Sequence, residues 1–124
     1  MVEILAARRI VAAPAALDAA TWPPGMVTLR LSPDEVLVLG DGEIELGDRH
    51  AIIEPDGGFS AIRTTEESIQ RLLAAFASWG LPAERPCLAQ GMVAGLPVKV
   101  HSDGVNALLL TPTPFAHELE ARLR

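Results

Sequence analysis

Three histidines are the side chains of this sequence most suited to binding a metal. His50, His101 and His117 are far apart along the chain, and none stands three or four residues from another. Zinc sites built on a single helix or hairpin use such short spacings. We therefore predict no metal site and interpret the three histidines as structural or solvated. A tertiary approach of His50 to His101 stays open at this point.

Cys87 is the only cysteine, so neither an intrachain disulfide nor a cysteine-based zinc site can form. A thiol becomes a good nucleophile when a helix N-terminus or a nearby cation lowers its pKa. Arg85 lies two residues away and is one such cation. Because Pro86 places Cys87 in a loop or at the start of a strand, we interpret it as a buried, unreactive residue, with a reactive thiol as the alternative.

Two pairs of carboxylates could serve as acid and base, namely Glu66 with Glu67 and Glu118 with Glu120. The first pair falls in the predicted first turn of a helix, where negative charge interacts favourably with the helix dipole. The second falls on the predicted outer face of the last helix. The sequence also has no phosphate-binding glycine loop, no G-x-S-x-G elbow and no H-E-x-x-H helix. We predict no catalytic residue and expect that the chain is not an enzyme.

Trp22 and Trp79 stand out because large aromatic residues are scarce in this chain, which has no tyrosine and three phenylalanines. Core packing explains both residues. A subunit interface is the alternative, because buried tryptophan often anchors contacts between proteins.

The elements that would position these residues follow from hydrophobic periodicity and turn residues. Alternation predicts a strand at 27–31, and the apolar run at 35–39 predicts a second, more buried strand. A hairpin is predicted to join 51–53 to 59–63 across the turn Pro55-Asp-Gly-Gly58. Residues 3–12 fit a strand or a helix equally well. Pro14 is expected to interrupt any regular element.

A helix is predicted from Thr64, which has capping-box spacing to Glu67. An apolar stripe follows at Ile69, Leu72, Leu73 and Phe76, and Gly80 suits the end of a helix. Three strands are predicted next, at 88–94, 97–101 and 105–110, and a second helix is expected with Thr113 as its N-cap.

Strands in runs with two amphipathic helices predict an α+β fold, with an antiparallel-rich sheet in a ferredoxin-like plait or a related arrangement. We expect one domain over residues 1–124, with a core at 25–124. The packing of residues 1–24 on that core stays open.

Composition narrows the classes of partner. The net charge is −6, the arginines are scattered, and Lys99 is the only lysine. Nucleic acids and anionic membranes are recognised by Lys/Arg-rich faces, so neither is an expected partner. No apolar run is long enough to cross a bilayer. Glu3 precedes the apolar stretch and Arg8-Arg9 interrupt it, unlike a secretory signal, so we expect a cytoplasmic protein.

The order of segments from Leu29 to Leu123 resembles the gamma subunit of heterotetrameric sarcosine oxidase, within the folate-binding aminomethyltransferase-like domains. The resemblance starts at Pro-Asp-Glu (33–35) with the apolar strand after it, and continues through residues 50–62 into the capped helix. It then covers Pro86-Cys-Leu-Ala-Gln90, residues 94–101, and Asp103-Gly104 with the strand that follows. The similarity spans about three quarters of the chain. It implies that residues 25–124 form a gamma-like core.

One departure from the family bears on activity. In the aminomethyltransferases an aspartate on the strand after the glycine-rich hairpin serves the folate-linked chemistry. The corresponding stretch here, Gly95-Leu-Pro-Val-Lys-Val100, has no carboxylate. The resemblance therefore implies a scaffold without the catalysis.

Two functions remain as hypotheses. The first is a noncatalytic accessory subunit that docks on a flavoprotein oxidase, with no cofactor of its own and the flavin in the partner. The second is a self-associating module that binds tetrahydrofolate or a similar planar ligand, with Arg85, Cys87 and Gln90 as the candidate ligand-binding residues.

Overall fold

The computed structural model describes residues 2–124, which form two compact units. One unit contains residues 2–4 with Gly58–Arg124, and the other is Leu5–Gly57. In chain order the elements are β1 (Glu3–Ile4), β2 (Ala7–Val11), α1 (Pro14–Ala19), β3 (Val27–Ser32), β4 (Glu35–Leu39), β5 (Ile52–Asp56), β6 (Phe59–Thr65), α2 (Glu66–Phe76), β7 (Cys87–Val93), β8 (Leu96–Ser102), β9 (Asn106–Pro112) and α3 (Ala116–Arg122). A single 3-10 turn, Thr113–Phe115, leads into α3. The predicted α+β class is confirmed.

The unit that contains Gly58–Arg124, called the C-terminal unit below, is built on a five-stranded antiparallel sheet of order β1-β6-β9-β8-β7. Helices α2 and α3 pack on one face of this sheet, where Ile69, Leu73 and Leu119 meet a row of strand residues. Those strand residues are Val93, Leu96, Val98, Val100, Ala107 and Leu109. The element order from β6 is β-α-β-β-β-α. A ferredoxin-like plait has the order β-α-β-β-α-β, so the last strand and the second helix are exchanged here.

The unit Leu5–Gly57, called the N-terminal unit, has a four-stranded antiparallel sheet of order β3-β4-β2-β5. Strand β2 pairs with β4 on one side and β5 on the other, so residues of the N-terminal segment are at the centre of this sheet. The two compact units divide the chain after Ile4 and after Gly57, and the single domain expected over residues 1–124 stays a prediction. Helix α1 was not predicted. Pro14 lies in its first turn, where the missing N–H costs no hydrogen bond.

The predicted hairpin between 51–53 and 59–63 is wrong. Strand β5 pairs with β2, whereas β6 pairs with β1 and β9. Pro55, expected in the turn, lies within β5, which is at an edge of its sheet. Proline is tolerated on an edge strand because its missing N–H removes no ladder bond there. A strong local turn pattern was therefore overruled by long-range strand pairing.

The start of α2 is shifted by one residue from its predicted position. Thr65 is the N-cap, and its Oγ1 accepts a hydrogen bond from the Ser68 N–H at 3.2 Å. Thr64 and Thr65 continue β6 and pair with Ala107 and Asn106, so the sheet delays the helix by one residue. The helix ends at Phe76, and its C-cap Ala77 is extended, so Gly80 does not end it. None of the helices in residues 2–124 combines the length and apolar character needed to cross a membrane.

Candidate functional site

The face of the C-terminal sheet opposite the helices carries a groove of about 410 Å³. Its side chains come from alternate positions of β7, β8 and β9, namely Gln90, Met92, Pro97, Lys99, Leu110 and Pro112. Strand pairing explains why they meet, because Gln90 is opposite Lys99, Met92 is opposite Pro97, and Lys99 is opposite Leu110. We call this depression the β7 groove. It is mostly apolar, and the side chain of Met92 is 54% exposed.

Lys99 supplies the positive charge of the β7 groove. Its ammonium donates a hydrogen bond to the Gln90 Oε1 at 2.7 Å, which holds the charged end over β7. Within residues 2–124 no carboxylate forms an ion pair with it, whereas seven of the arginines do form ion pairs. A half-buried ammonium held beside apolar surface is suited to receive a carboxylate from another molecule.

The three residues predicted to bind a ligand do not line one pocket. Gln90 lines the β7 groove, and it points to the face opposite the helices. Cys87 is an odd number of positions away on the same strand, so strand alternation sends its side chain to the other face, where it is buried. Arg85 precedes β7, and its guanidinium forms hydrogen bonds outside the groove.

Arg85 takes part in a hydrogen-bonded cluster at the start of α2. Its guanidinium pairs with the Glu66 carboxylate and also donates to the carbonyls of Pro82 and Glu84. Glu66 Oε1 accepts a second hydrogen bond, at 2.7 Å, from the buried hydroxyl of Ser102. The bond from Arg85, and next the one from Ser102, lowers the pKa of the Glu66 carboxyl. The cluster connects the loop before β7 to α2 and to the end of β8. Its polar groups hydrogen-bond to one another and to the backbone of the loop.

The other residues with chemical potential are dispersed. His101 is half-buried on β8, and burial lowers its pKa, partly opposed by the charge of Asp103. His50 and His117 are exposed, and they belong to the N-terminal and C-terminal units respectively. Glu118 pairs with Arg122, and Glu120 accepts a hydrogen bond from the Val2 N–H. Within the described residues no group of three or more His, Cys, Asp or Glu is arranged to hold a metal ion.

The two tryptophans lie in different units. Trp22 packs against the core of the N-terminal unit. Trp79 follows α2 and covers Gly91 on the helix side of the sheet, and its Nε1–H donates to the Met92 carbonyl at 2.9 Å. Both are partly buried, as the core-packing interpretation predicts. Their role at a subunit interface stays a prediction.

A second depression, of about 560 Å³, lies in the N-terminal unit between α1 and residues 45–48. Small alanine side chains form most of its wall. Its carboxylate Asp48 accepts hydrogen bonds from the N–H groups of Ala13 and His50, both at 2.8 Å, and these bonds lower its pKa. The acidic group therefore fixes the local backbone and offers little to a ligand.

Among the side chains that line the β7 groove, only Gln90 was a candidate ligand-binding residue in the sequence analysis, and that role stays a prediction. The available signal was the alternation within β7 and β8, which puts Gln90, Met92, Pro97 and Lys99 on one face once the two strands are paired. A comparison of the sequence with family models and with curated proteins gave no match. The geometry of the groove and the resemblance described above are thus the grounds for a functional proposal.

Proposed function

We propose that this protein is a noncatalytic accessory subunit, similar to the sarcosine oxidase gamma chain, that docks on a flavin-dependent oxidase. The flavin and the reacting groups belong to the partner. This chain contributes surface and positioning. The identity of the partner class comes from the resemblance over residues 29–123.

The observation that carries the proposal is the contrast between the two kinds of polar group in the C-terminal unit. Glu66, Arg85 and Ser102 bind one another, whereas Lys99 has no carboxylate partner among the described residues. Groups that serve a reaction must reach a substrate, and the first cluster is occupied by the fold. The cation beside apolar surface can pair with an acidic group of another protein at the polar rim of a contact.

A copurification experiment tests this function. The tagged chain is purified from its native host under gentle conditions, and the eluate is examined for flavin absorbance and by mass spectrometry. We expect a flavoprotein oxidase subunit at a fixed stoichiometry. The matched control is the same chain with Lys99→Glu and Met92→Asp, which alters the groove and leaves the helix-side core intact. Repeated recovery of the wild-type chain with no flavoprotein would refute the proposal.

A second candidate function is the binding of tetrahydrofolate or a similar planar, carboxylate-bearing ligand, alone or in a homodimer. The specific observation in its favour is the β7 groove, whose volume lies in the usual range for small ligands and which contains both Gln90 and Lys99. Titration with a reduced folate, followed by the fluorescence of Trp79 next to the groove strands, tests it. A Lys99→Met variant that binds as well as the wild type, or no fluorescence change up to millimolar ligand, would eliminate this candidate.

A further inference from the structure

Strand β7 is a sheet edge that has no charge, proline or bulge to prevent strand pairing, although Trp79 covers its Met92 end. It is seven residues long, Cys-Leu-Ala-Gln-Gly-Met-Val, with no charged residue and no proline. Its pairing with β8 runs from Cys87 opposite Ser102 to Val93 opposite Leu96 without a register shift, so no bulge twists it away. Natural proteins protect exposed edges with charges, prolines, bulges or very short strands.

The other three sheet edges in the described part of the chain all carry such protection. Strand β1 has only two residues. Strand β5 contains Pro55 and two acidic residues. Strand β3 has a register shift after Arg30, and it carries this charged residue, whose guanidinium donates to the Pro33 carbonyl at 2.6 Å. Among these edges, β7 is thus the long strand without a charge, a proline or a register shift.

Backbone groups at the β7 edge point outward at every second residue. The Met92 carbonyl accepts the hydrogen bond of Trp79, so it points away from β8. Strand alternation then turns the N–H and C=O of Leu88 and Gln90 to the same edge. Trp79 occupies the edge at Met92, which leaves Leu88 and Gln90 to pair with an added strand.

The position of Lys99 indicates what kind of strand would fit. Its ammonium lies over β7, on Gln90, and is therefore within reach of a side chain on a strand added next to Gln90. A carboxylate there would form an ion pair with Lys99, which pairs with no carboxylate of residues 2–124. An apolar side chain two residues from it would lie on the same face of the sheet, along the groove.

A second copy of this chain fits the edge less well. Strand β7 has no acidic residue, so an antiparallel pair of β7 strands offers Lys99 no carboxylate. Pairing about Gln90 would also bring both lysines to the same face.

We propose that the β7 edge and the β7 groove bind an extended acidic segment of a partner protein as a sixth strand, with a Glu or Asp side chain of the segment on Lys99. In the accessory-subunit role this segment belongs to the oxidase partner, so that assignment rests on the proposed function. The binding chemistry itself does not.

The first test uses defined probes and needs no knowledge of the partner. Displayed seven-residue peptides with a fixed central Glu are selected on the full chain, and an equal library with a fixed central Lys is selected in parallel. We expect binders only from the Glu library, with apolar residues two positions from the Glu. Bound peptide should slow hydrogen exchange at the amides of Leu88 and Gln90. Equal enrichment from both libraries, or binding that leaves both amides unprotected, would overturn the proposal.

Variants separate the charge from the edge. Lys99→Glu is expected to weaken peptide binding about tenfold or more, because like charges then face each other. Lys99→Met should weaken it about two- to fivefold, the range of a partly exposed ion pair. Gln90→Pro removes an outward N–H that the sheet does not use, and it should abolish binding while circular dichroism stays unchanged. Arg71→Glu, an exposed charge reversal on α2, is the matched control and should bind as the wild type does. Unchanged affinity in Lys99→Glu would contradict the proposal, whatever Gln90→Pro does.

The remaining outcomes distinguish this inference from the proposed function. Peptide binding without a flavoprotein in the copurification would leave the inference standing and refute the oxidase role. A recovered flavoprotein that binds Lys99→Glu and Gln90→Pro as well as the wild type would support the oxidase role and refute the inference about the β7 edge. Sedimentation that shows a dimer for the wild type and a monomer for Gln90→Pro would assign the edge to a second copy and overturn the acidic-segment proposal.

Discussion

Replacing Gly91 with alanine probes the contact between Trp79 and the sheet. A Cβ atom at Gly91 would lie 2.3 Å from the Trp79 Nε1 and 2.4 Å from its Cε2, far inside van der Waals contact. The indole would have to move, and its hydrogen bond to the Met92 carbonyl would be lost or stretched from 2.9 Å. We therefore expect Gly91→Ala to destabilise the C-terminal unit.

The size of the effect follows from three contributions. Overpacking costs about 1–3 kcal/mol, and loss of one hydrogen bond adds about 1 kcal/mol. Alanine offsets about 0.5–1 kcal/mol of this loss, because glycine in a strand loses more conformational entropy on folding. The net loss in the free energy of unfolding is about 1–3.5 kcal/mol, a large part of the stability of a small domain.

Urea unfolding measures this loss. Trp22→Phe is introduced into all proteins, so that fluorescence reports Trp79 alone, and circular dichroism is recorded in parallel. Gly80→Ala is the matched control, because a Cβ there meets nothing within 4 Å. It should change stability by no more than about 0.5 kcal/mol.

A double-mutant cycle identifies the cause. In a Trp79→Leu background the clash is removed, and Gly91→Ala should then cost at least about 1 kcal/mol less than in the presence of Trp79. A loss from Gly91→Ala that matches the Gly80→Ala control, or one that persists undiminished in Trp79→Leu, would refute the reasoning.

Three further predictions concern the C-terminal unit. Thr65→Ala should lower the free energy of unfolding by about 1 kcal/mol, because Thr65 is the N-cap of α2, while Thr65→Ser stays close to wild type. No loss of stability in Thr65→Ala would contradict this and favour Thr64 as the N-cap, as the sequence pattern suggested. Because Arg85 lowers the pKa of Glu66, that carboxylate stabilises the fold above its unfolded pKa of about 4.3, and the benefit disappears as the pH falls below that value. The difference in the free energy of unfolding between the wild type and Glu66→Gln, measured by urea unfolding at a series of pH values, should therefore shrink as the pH falls. A constant difference from neutral pH to about pH 3 would contradict this. Burial lowers the pKa of His101, so the unfolded chain takes up the proton first and stability should decrease as the pH falls below about 6.5. Thermal melts of His101→Gln should lose that part of the pH dependence, and an identical slope in both proteins would show that another group is responsible.

Much of the local structure was predictable from the sequence. The apolar stripe of α2 is real, since Ile69 and Leu73 are buried in the core of the C-terminal unit, although Phe76 at its end is 37% exposed. The three strands after it were located within two residues of their positions, because Gly95 and Gly104 mark the turns between them and both have positive φ. Such features depend on neighbours in the sequence, and short-range rules describe them well.

Pairing between distant segments was the part that local patterns missed. Pro55 and the glycines after it suggested a hairpin, yet β5 joins β2 and β6 joins β9. The same long-range pairing extends β6 through Thr65 and shifts the helix cap by one residue. Strand alternation is visible in the sequence, but which strand lies next to which depends on how the whole apolar surface is buried.

The sequence by itself determined the α+β class, the antiparallel meander at its C-terminal end and the helix that covers it, because turn residues and periodicity act over a few positions. Only the tertiary structure decided that Gln90 and Cys87 face opposite sides of one sheet and that Lys99 lies over β7 without a carboxylate among the described residues. It also decided that β7 is an edge. The physical reason is that an edge, a groove and an unpaired charge are properties of neighbours in space, and strand pairing between residues far apart in the chain creates those neighbours.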